Sequence, residues 1–319
     1  MKKTLLTICL VWMCFSLSAQ KIIDLSGKWS FSIDRQDNGE KEKWFSHTLN
    51  DFINLPGSMP EKLKGDEVTA KTQWTGSLYD SSYYYNPYME KYRKEGNIKF
   101  PFFLTPDKHY VGAAWYQKEV NIPADWKGER ILLFLERPHI ETTVWVNGQK
   151  TGMQNSLCVP HQYDITRYVR PGKCTITIRV DNRIKEINVG PDSHSITDQT
   201  QGNWNGIVGR ICLQTTPKTY FDDIQIYPEP EQKLARVKVV IKGTGTAKVK
   251  LSAESFNTDK KHIVPAIQQE IKLNKGVTET EMVLPMGNDM LLWDEFHPAL
   301  YKLKAEVTNG KKTEIKEIQ

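Results

Sequence analysis

Few side chains in this chain are set up to do chemistry. The sequence singles out no metal-ligand set, no phosphate loop and no Ser-His-Asp or Cys-His arrangement. The acidic turn 34–40, DRQDNGE, has carboxylates that suit calcium but not the ligand spacing of a known loop, so it reads as a solvated turn. Outside the first 20 residues the cysteines are Cys158, Cys174 and Cys212, an odd number whose spacing fits no zinc pattern. What remains suits binding rather than bond breaking. Residues 197–213, TDQTQGNWNGIVGRICL, are the most site-like stretch. Asn203 and Asn205 offer amide donors and acceptors, and Trp204 between them offers a flat apolar face. The plainer alternative is a turn held by its own side chains.

Such a loop needs strands to position it, and the hydrophobic period supplies them. Residues 131–135 form a short apolar run, the pattern of a strand buried on both faces. In 141–146, Val144 and Val146 share one face and Trp145 takes the other. Asn147-Gly148 follows, a strong hairpin signal because both residues tolerate positive φ. Strands are also expected at 25–31, 115–120 and 174–180, the last pointing Cys174, Ile176, Ile178 and Val180 one way. Cys174 is therefore expected to be a small buried residue, with a Cys174–Cys212 disulfide as the alternative. Asp164 is placed to cap one helical turn that Pro171-Gly172 ends. No long helical period occurs, which predicts an all-β fold with the many short strands of a jelly roll.

Residues 72–107 interrupt this pattern with a long polar-aromatic insertion carrying Trp74, Tyr79, Tyr83, Tyr84, Tyr85 and Tyr88, with one or two helical turns expected at 89–95. A loop of that length is usually functional or poorly ordered. Two readings stand: the wall of a saccharide pocket, or a loop packed on its own domain or a neighbour. Further on, 220–227 reads as a strand leading out and 228–230 as a linker. Short strands at 235–242, 247–253, 270–273, 280–284 and 300–307 then predict an immunoglobulin-like sandwich. The expected domains are 20–228 and 229–319.

The order of short motifs goes further. Leu55-Pro-Gly-Ser58, Trp115-Tyr116, Pro123, Trp126, Gly128-Glu-Arg130, Trp145-Val-Asn-Gly148, the run 163–172 and CTITIRVDN at 174–182 resemble the N-terminal sugar-binding domain of glycoside hydrolase family 2. Residues 292–301, LWDEFHPALY, resemble a motif near the end of that family's second domain. The resemblance implies a galactose-binding-like jelly-roll β-sandwich followed by an immunoglobulin-like β-sandwich. It aligns Asp198-Gln199 and Gly206-Ile207 with a segment of family β-galactosidases in which the Asp contacts sugar hydroxyls. A carboxylate accepts charge-assisted hydrogen bonds from vicinal hydroxyls. By that likeness Asp198 is a substrate-binding residue, with Trp204 as platform and Asn203 and Asn205 as further contacts. Departures from the family pattern are Gly202, Gly209 and His109-Tyr110, the last pair standing where a sugar-contacting Asn is expected.

Hydrolysis in this family uses two carboxylates borne on a (β/α)₈ barrel of roughly 250 residues. Glu136, Glu141, Asp294 and Glu295 match none of its catalytic motifs, and the motifs found end with the immunoglobulin-like strands. The resemblance thus implies the non-catalytic N-terminal portion of a β-galactosidase-like hydrolase. No catalytic residue, cofactor or metal is expected. The expected partners are the terminal sugar of a glycan and a barrel domain carried elsewhere. Two other readings are a self-standing carbohydrate-binding protein and an adhesion protein using 72–107.

Composition bounds these readings. The 319 residues allow two domains, and 25% charged with 39% hydrophobic residues describes a globular protein. Lys2-Lys3, the apolar run 5–17 and Ala19 read as a secretory signal over 1–19, implying a periplasmic or extracellular protein with no membrane span after its removal. The net charge of +5 is too small and too evenly spread to argue for nucleic acid.

Overall fold

A computed structural model describes residues 21–75, 82–99, 106–185, 198 and 202–319. Residues 1–19, read in sequence as a secretory signal, lie outside the described residues, as do Tyr79 and Gln199. The described chain divides into two compact units, Lys21–Thr215 and Thr216–Gln319.

The first unit holds β1 (Ile22–Asp24), β2 (Gly27–Asp34), β3 (Asp51–Leu55), β4 (Gly57–Ser58), β5 (Asp66–Glu67), β6 (Lys108–His109), β7 (Ala113–Ile122), β8 (Arg130–Pro138), β9 (Glu141–Val146), β10 (Gln149–Asn155), β11 (His161–Asp164), β12 (Gly172–Asp181) and β13 (Gly206–Thr216). Strands β10-β9-β12-β7-β2-β3 form one sheet. Strands β1-β13-β8-β11 form another, with β4 also on β13, and β5-β6 make a short ribbon. Neighbours in a sheet are distant in sequence, as in a jelly roll. Alternation builds the core: Trp29 and Phe31, Val144 and Val146, and Cys174, Ile176, Ile178 and Val180 face Ile131, Leu133, Leu135, Ile207 and Ile211 of the other sheet. All five residues of the run 131–135 are buried, as their unbroken apolarity requires.

Trp145 takes the opposite face, as its place in the alternation predicts. There it joins Leu49 and Trp115 in a small cluster under Trp44 and Phe45, with the Phe45 ring stacked on it at 5.2 Å. Asn147 and Gly148 adopt φ of 50° and 77°, and Val146 pairs with Gln149, so the predicted hairpin forms. Asp164 accepts from the amide and hydroxyl of Thr166 at the single turn Thr166–Tyr168. The three described cysteines are free, Cys158 exposed and Cys174 and Cys212 buried, which removes the disulfide alternative.

The second unit holds β14 (Tyr220–Glu229), β15 (Leu234–Phe256), β16 (Ile263–Pro285), β17 (Leu300–Asn309) and β18 (Lys312–Ile318). Four of the predicted short strands are halves of two long ones. β16 follows β15 along its length, while the other edge of β15 pairs first with β14, up to Lys242, and then with β17, from Lys248. The ladder shifts register at Gly243/Gly245, opposite Gly276, and the positive φ at Gly245 and Gly276 lets both strands bend together. One continuous ladder therefore serves two layers, around Val237, Val239, Ile241, Val249, Leu251, Leu303 and Val307.

The expected boundary after 228 shifts. The strand that reads as leading out, Tyr220–Glu229, pairs with β15 and belongs to the second unit. Pro228 and Pro230 punctuate the turn of that hairpin, where Pro230–Gln232 is a 3₁₀ turn closed by Lys233 at φ 52°, and are not a linker between domains.

Candidate functional site

The residues singled out for binding meet at one end of the first sandwich, where β12 ends, β7 begins and β13 enters. Gly206 opens β13 at φ 141°, and a Cβ there would sit 2.5 Å from the Gly57 carbonyl oxygen. Only glycine lets β13 come this close to β4. That approach aims the preceding residue, Asn205, inward. Its Nδ2 donates to the carbonyls of Gly112 and Val180 at 2.9 and 3.0 Å, and its Oδ1 accepts from the Tyr116 hydroxyl at 2.8 Å. Burial holds the Tyr116 phenol well above its ordinary pKa, so it stays a donor.

Asn203 is equally committed. Its Nδ2 donates to Thr75 Oγ1 and the Asn182 carbonyl, and its Oδ1 accepts from Asn182 Nδ2. Asp198 accepts from the Thr75 amide at 2.7 Å and the Asn203 amide at 2.5 Å, with His109 Nε2 at 3.3 Å. Its side chain is 1% exposed. The resemblance assigned this carboxylate to sugar hydroxyls. The geometry instead spends it on backbone amides, because a buried carboxylate needs donors and the loop supplies them. Asn203 and Asn205 are likewise turned inward. Trp204 is the exception: half-buried, its ring lies stacked against the His139 imidazole at 4.5 Å.

Sequence reasoning missed the partners of this network. Asn182 accepts from the Gly112 amide and donates to the Tyr110 carbonyl and to Asn203, joining β12 to the loop. His109, noted in sequence as standing in place of an expected Asn, touches Asp198, and Trp74 of the insertion packs on its ring at 4.7 Å. The tail of CTITIRVDN is structural too. Buried Asp181 receives Arg179, Arg183 and Lys185, and Asp37 and Glu141 complete a six-member ion network. Burial alone would raise the Asp181 pKa. Hydrogen bonds from Arg183 and Lys185, with the Arg179 charge, outweigh it and hold the carboxyl well below the usual range.

Asp34, Glu136 and Asp294 are engaged in the same way. Asp34 accepts from the amides of Asn38 and Gly39 and from Trp115 Nε1, which ties its turn to β7. Glu136 takes Arg210, and Asp294 caps its own loop. Among the described residues no group of three His, Cys, Asp or Glu is placed to hold a metal. No helix among them is long and apolar enough to cross a membrane.

Part of the insertion packs on itself. Tyr83 is fully buried against Trp74, Met89 and Tyr92, and donates to the Tyr92 carbonyl, so the segment packs on itself. The expected helical turns occur as a 3₁₀ helix, Pro87–Tyr92, capped by Asn86. Tyr84, Tyr85 and Tyr88 nevertheless face solvent. A separate cavity of about 690 Å³ is lined by Glu67–Ala70, Arg93, Glu95, Lys99 and Asp107 among others, and by none of these tyrosines.

The described chain thus consists of two β-sandwich units, the first with a polar edge whose groups bond to one another. Residues 22–217 match the sugar binding domain of "Glycosyl hydrolases family 2", and residues 219–319 match "Glycosyl hydrolases family 2". The chain belongs to glycoside hydrolase family 2. It is 24% identical to the human β-glucuronidase over 89% of its own length and 41% of that protein's. It is also 24% identical to a β-galactosidase of Clostridium acetobutylicum, over 88% and 28%. A solved β-glucuronidase of Ruminococcus gnavus in complex with D-glucuronic acid shares the fold, with a TM-score of 0.60 and 19% identity over 94% of this chain and 46% of that one. The chain thus spans less than half the length of these relatives.

Proposed function

We propose that this chain is the non-catalytic N-terminal portion of a secreted family 2 glycosidase of the β-glucuronidase or β-galactosidase kind, in which hydrolysis requires a barrel domain joined to it. One observation carries the reading: two family domains follow one another in order over 22–319 while covering only 41% of a human relative. Asp198, Glu136 and Glu141 support it, since amides, a guanidinium and an ammonium group engage them, whereas glycoside hydrolysis needs two carboxylates facing a scissile bond. At the loop end of the first sandwich, sugar contact falls to Trp204, with Asp198, Asn203 and Asn205 fixing the loop that carries it. The Lys2-Lys3 and 5–17 pattern supports export. The test is an assay of the purified chain on nitrophenyl glucuronide and galactoside. No turnover is expected, and clear turnover by this chain alone would sink the reading.

A second reading, self-standing glycan binding, draws on the exposed Tyr84, Tyr85 and Tyr88. Calorimetry against a glycan panel separates the two. Binding at roughly millimolar strength, lost on Trp204→Ala or Tyr88→Ala, favours it, and no heat with any glycan removes it.

A further inference from the structure

The insertion turns three rings to solvent: Tyr84, Tyr85 and Tyr88 are 48, 72 and 83% exposed. Each carries a hydroxyl, and Pro87 is the one exposed aliphatic side chain among residues 84–91. Charge on this surface is largely spent. Glu90 pairs with Lys94, and the Arg93 guanidinium is turned back onto the carbonyls of Tyr83 and Asn86. Flat faces edged by hydroxyls suit a pyranose ring, whose C–H face stacks while its hydroxyls bond at the rim.

These rings stand on a frame that is already fixed. Tyr83 is fully buried against Trp74, Met89 and Tyr92 and donates to the Tyr92 carbonyl, and the Asn86 side chain accepts from the Tyr88 amide. A surface held this way loses little entropy when a ligand settles on it. The frame is also joined to the loop that carries Trp204. The Trp74 ring lies on His109, and His109 meets Asp198. Asp198 accepts from the Thr75 amide, while its own amide donates to the Thr75 carbonyl at 2.9 Å. The same carboxylate holds the Asn203 amide, one residue before Trp204. One connected set of contacts within the first unit therefore supports both the tyrosines and Trp204.

We infer that the insertion extends the Trp204 edge into a site for an oligosaccharide chain, with Trp204 under one sugar and Tyr85 and Tyr88 under sugars further along. The inference rests on the sugar contact proposed above for Trp204. It goes beyond that contact in the ligand it names, several linked pyranoses rather than a single terminal sugar. Weak contacts to linked sugars combine into one tighter binding event only if a common frame lets them form together. The Thr75–Asp198 clasp and the Trp74–His109 stack supply that frame.

The experiment measures, by calorimetry on the full chain, dissociation constants for oligosaccharides of galactose and of glucuronic acid with one, three and six residues. In at least one series the longest chain is expected to bind about 10-fold or more tightly than the single sugar. Tyr85→Ala with Tyr88→Ala should remove that gain, and Trp204→Ala should weaken binding at every length. Both tyrosines are exposed, so melting of the double variant should match the parent. Trp293→Ala removes a ring that is 61% exposed on the second unit and should change nothing. A long chain that binds no better than the single sugar, or a gain that survives the tyrosine change, overturns the inference and leaves the Trp204 contact standing. An equal loss with Trp293→Ala would mark adsorption to any exposed ring and overturn it too. No binding by any of these sugars overturns both.

Discussion

Asp198, singled out in sequence, accepts two backbone amides in the fold, and His161, which the sequence did not single out, is buried beside Thr142 and Tyr163. With Asp198→Ala, the amides of Thr75 and Asn203 lose their acceptor inside the protein. Each stranded donor costs about 1–3 kcal/mol, so urea unfolding should report a loss of about 2–5 kcal/mol. An unchanged midpoint would show that the carboxylate is not the tie described. His161 is buried, with Nε2 donating to the Ser156 carbonyl and Nδ1 facing Thr142 Oγ1, which in turn meets the Tyr163 hydroxyl. Burial lowers its pKa, more than the Ser156 carbonyl raises it. The folded state thus binds this proton less readily than the unfolded state, whose histidine titrates near 6.5. Stability from this group is complete above about pH 6.5 and falls as pH drops below it, by at most about 1.4 kcal/mol per unit. Melting of the parent minus His161→Gln, followed from pH 8 to pH 5, should show that slope. A flat difference would contradict it.

At the scale of elements, two glycines of similar backbone freedom do different work. Gly148 sits at φ 77° in the β9–β10 hairpin with only Ser46 Oγ near a would-be Cβ, at 3.9 Å. Gly148→Ala should cost about 1 kcal/mol, the strain of a non-glycine residue there. Gly206→Ala adds a clash with the backbone of β4 at 2.5 Å and should cost about 3 kcal/mol or more, with the Asn205 network loosened. Comparable melting temperatures for the two variants would refute the close-approach argument. The hairpin glycine was legible because Asn-Gly is a local signal. Gly206 was not, since the reason for it is a strand more than a hundred residues earlier in the chain. The long strands of the second unit hid for the opposite reason: 235–242 and 247–253 read as separate strands, while cross-strand partners carry the ladder through Gly243 and Gly245.

At the scale of the whole molecule, each unit has a hydrophobic core of its own. Residues 216–319 expressed alone should therefore melt in one cooperative transition, as single domains of this size generally do. A non-cooperative profile would mean that the second core is incomplete. Sequence alone determined the all-β class, the two-domain order and the family, because strand alternation, Asn-Gly turns and short motifs are local and survive in the chain as written. Tertiary structure decided what the polar residues do. Whether Asp198 meets a sugar or an amide, whether Trp293 packs inward or faces solvent, and where one unit ends depend on partners far away in sequence. Burial and hydrogen-bond satisfaction are properties of the folded surroundings, and no spacing along a single strand records them.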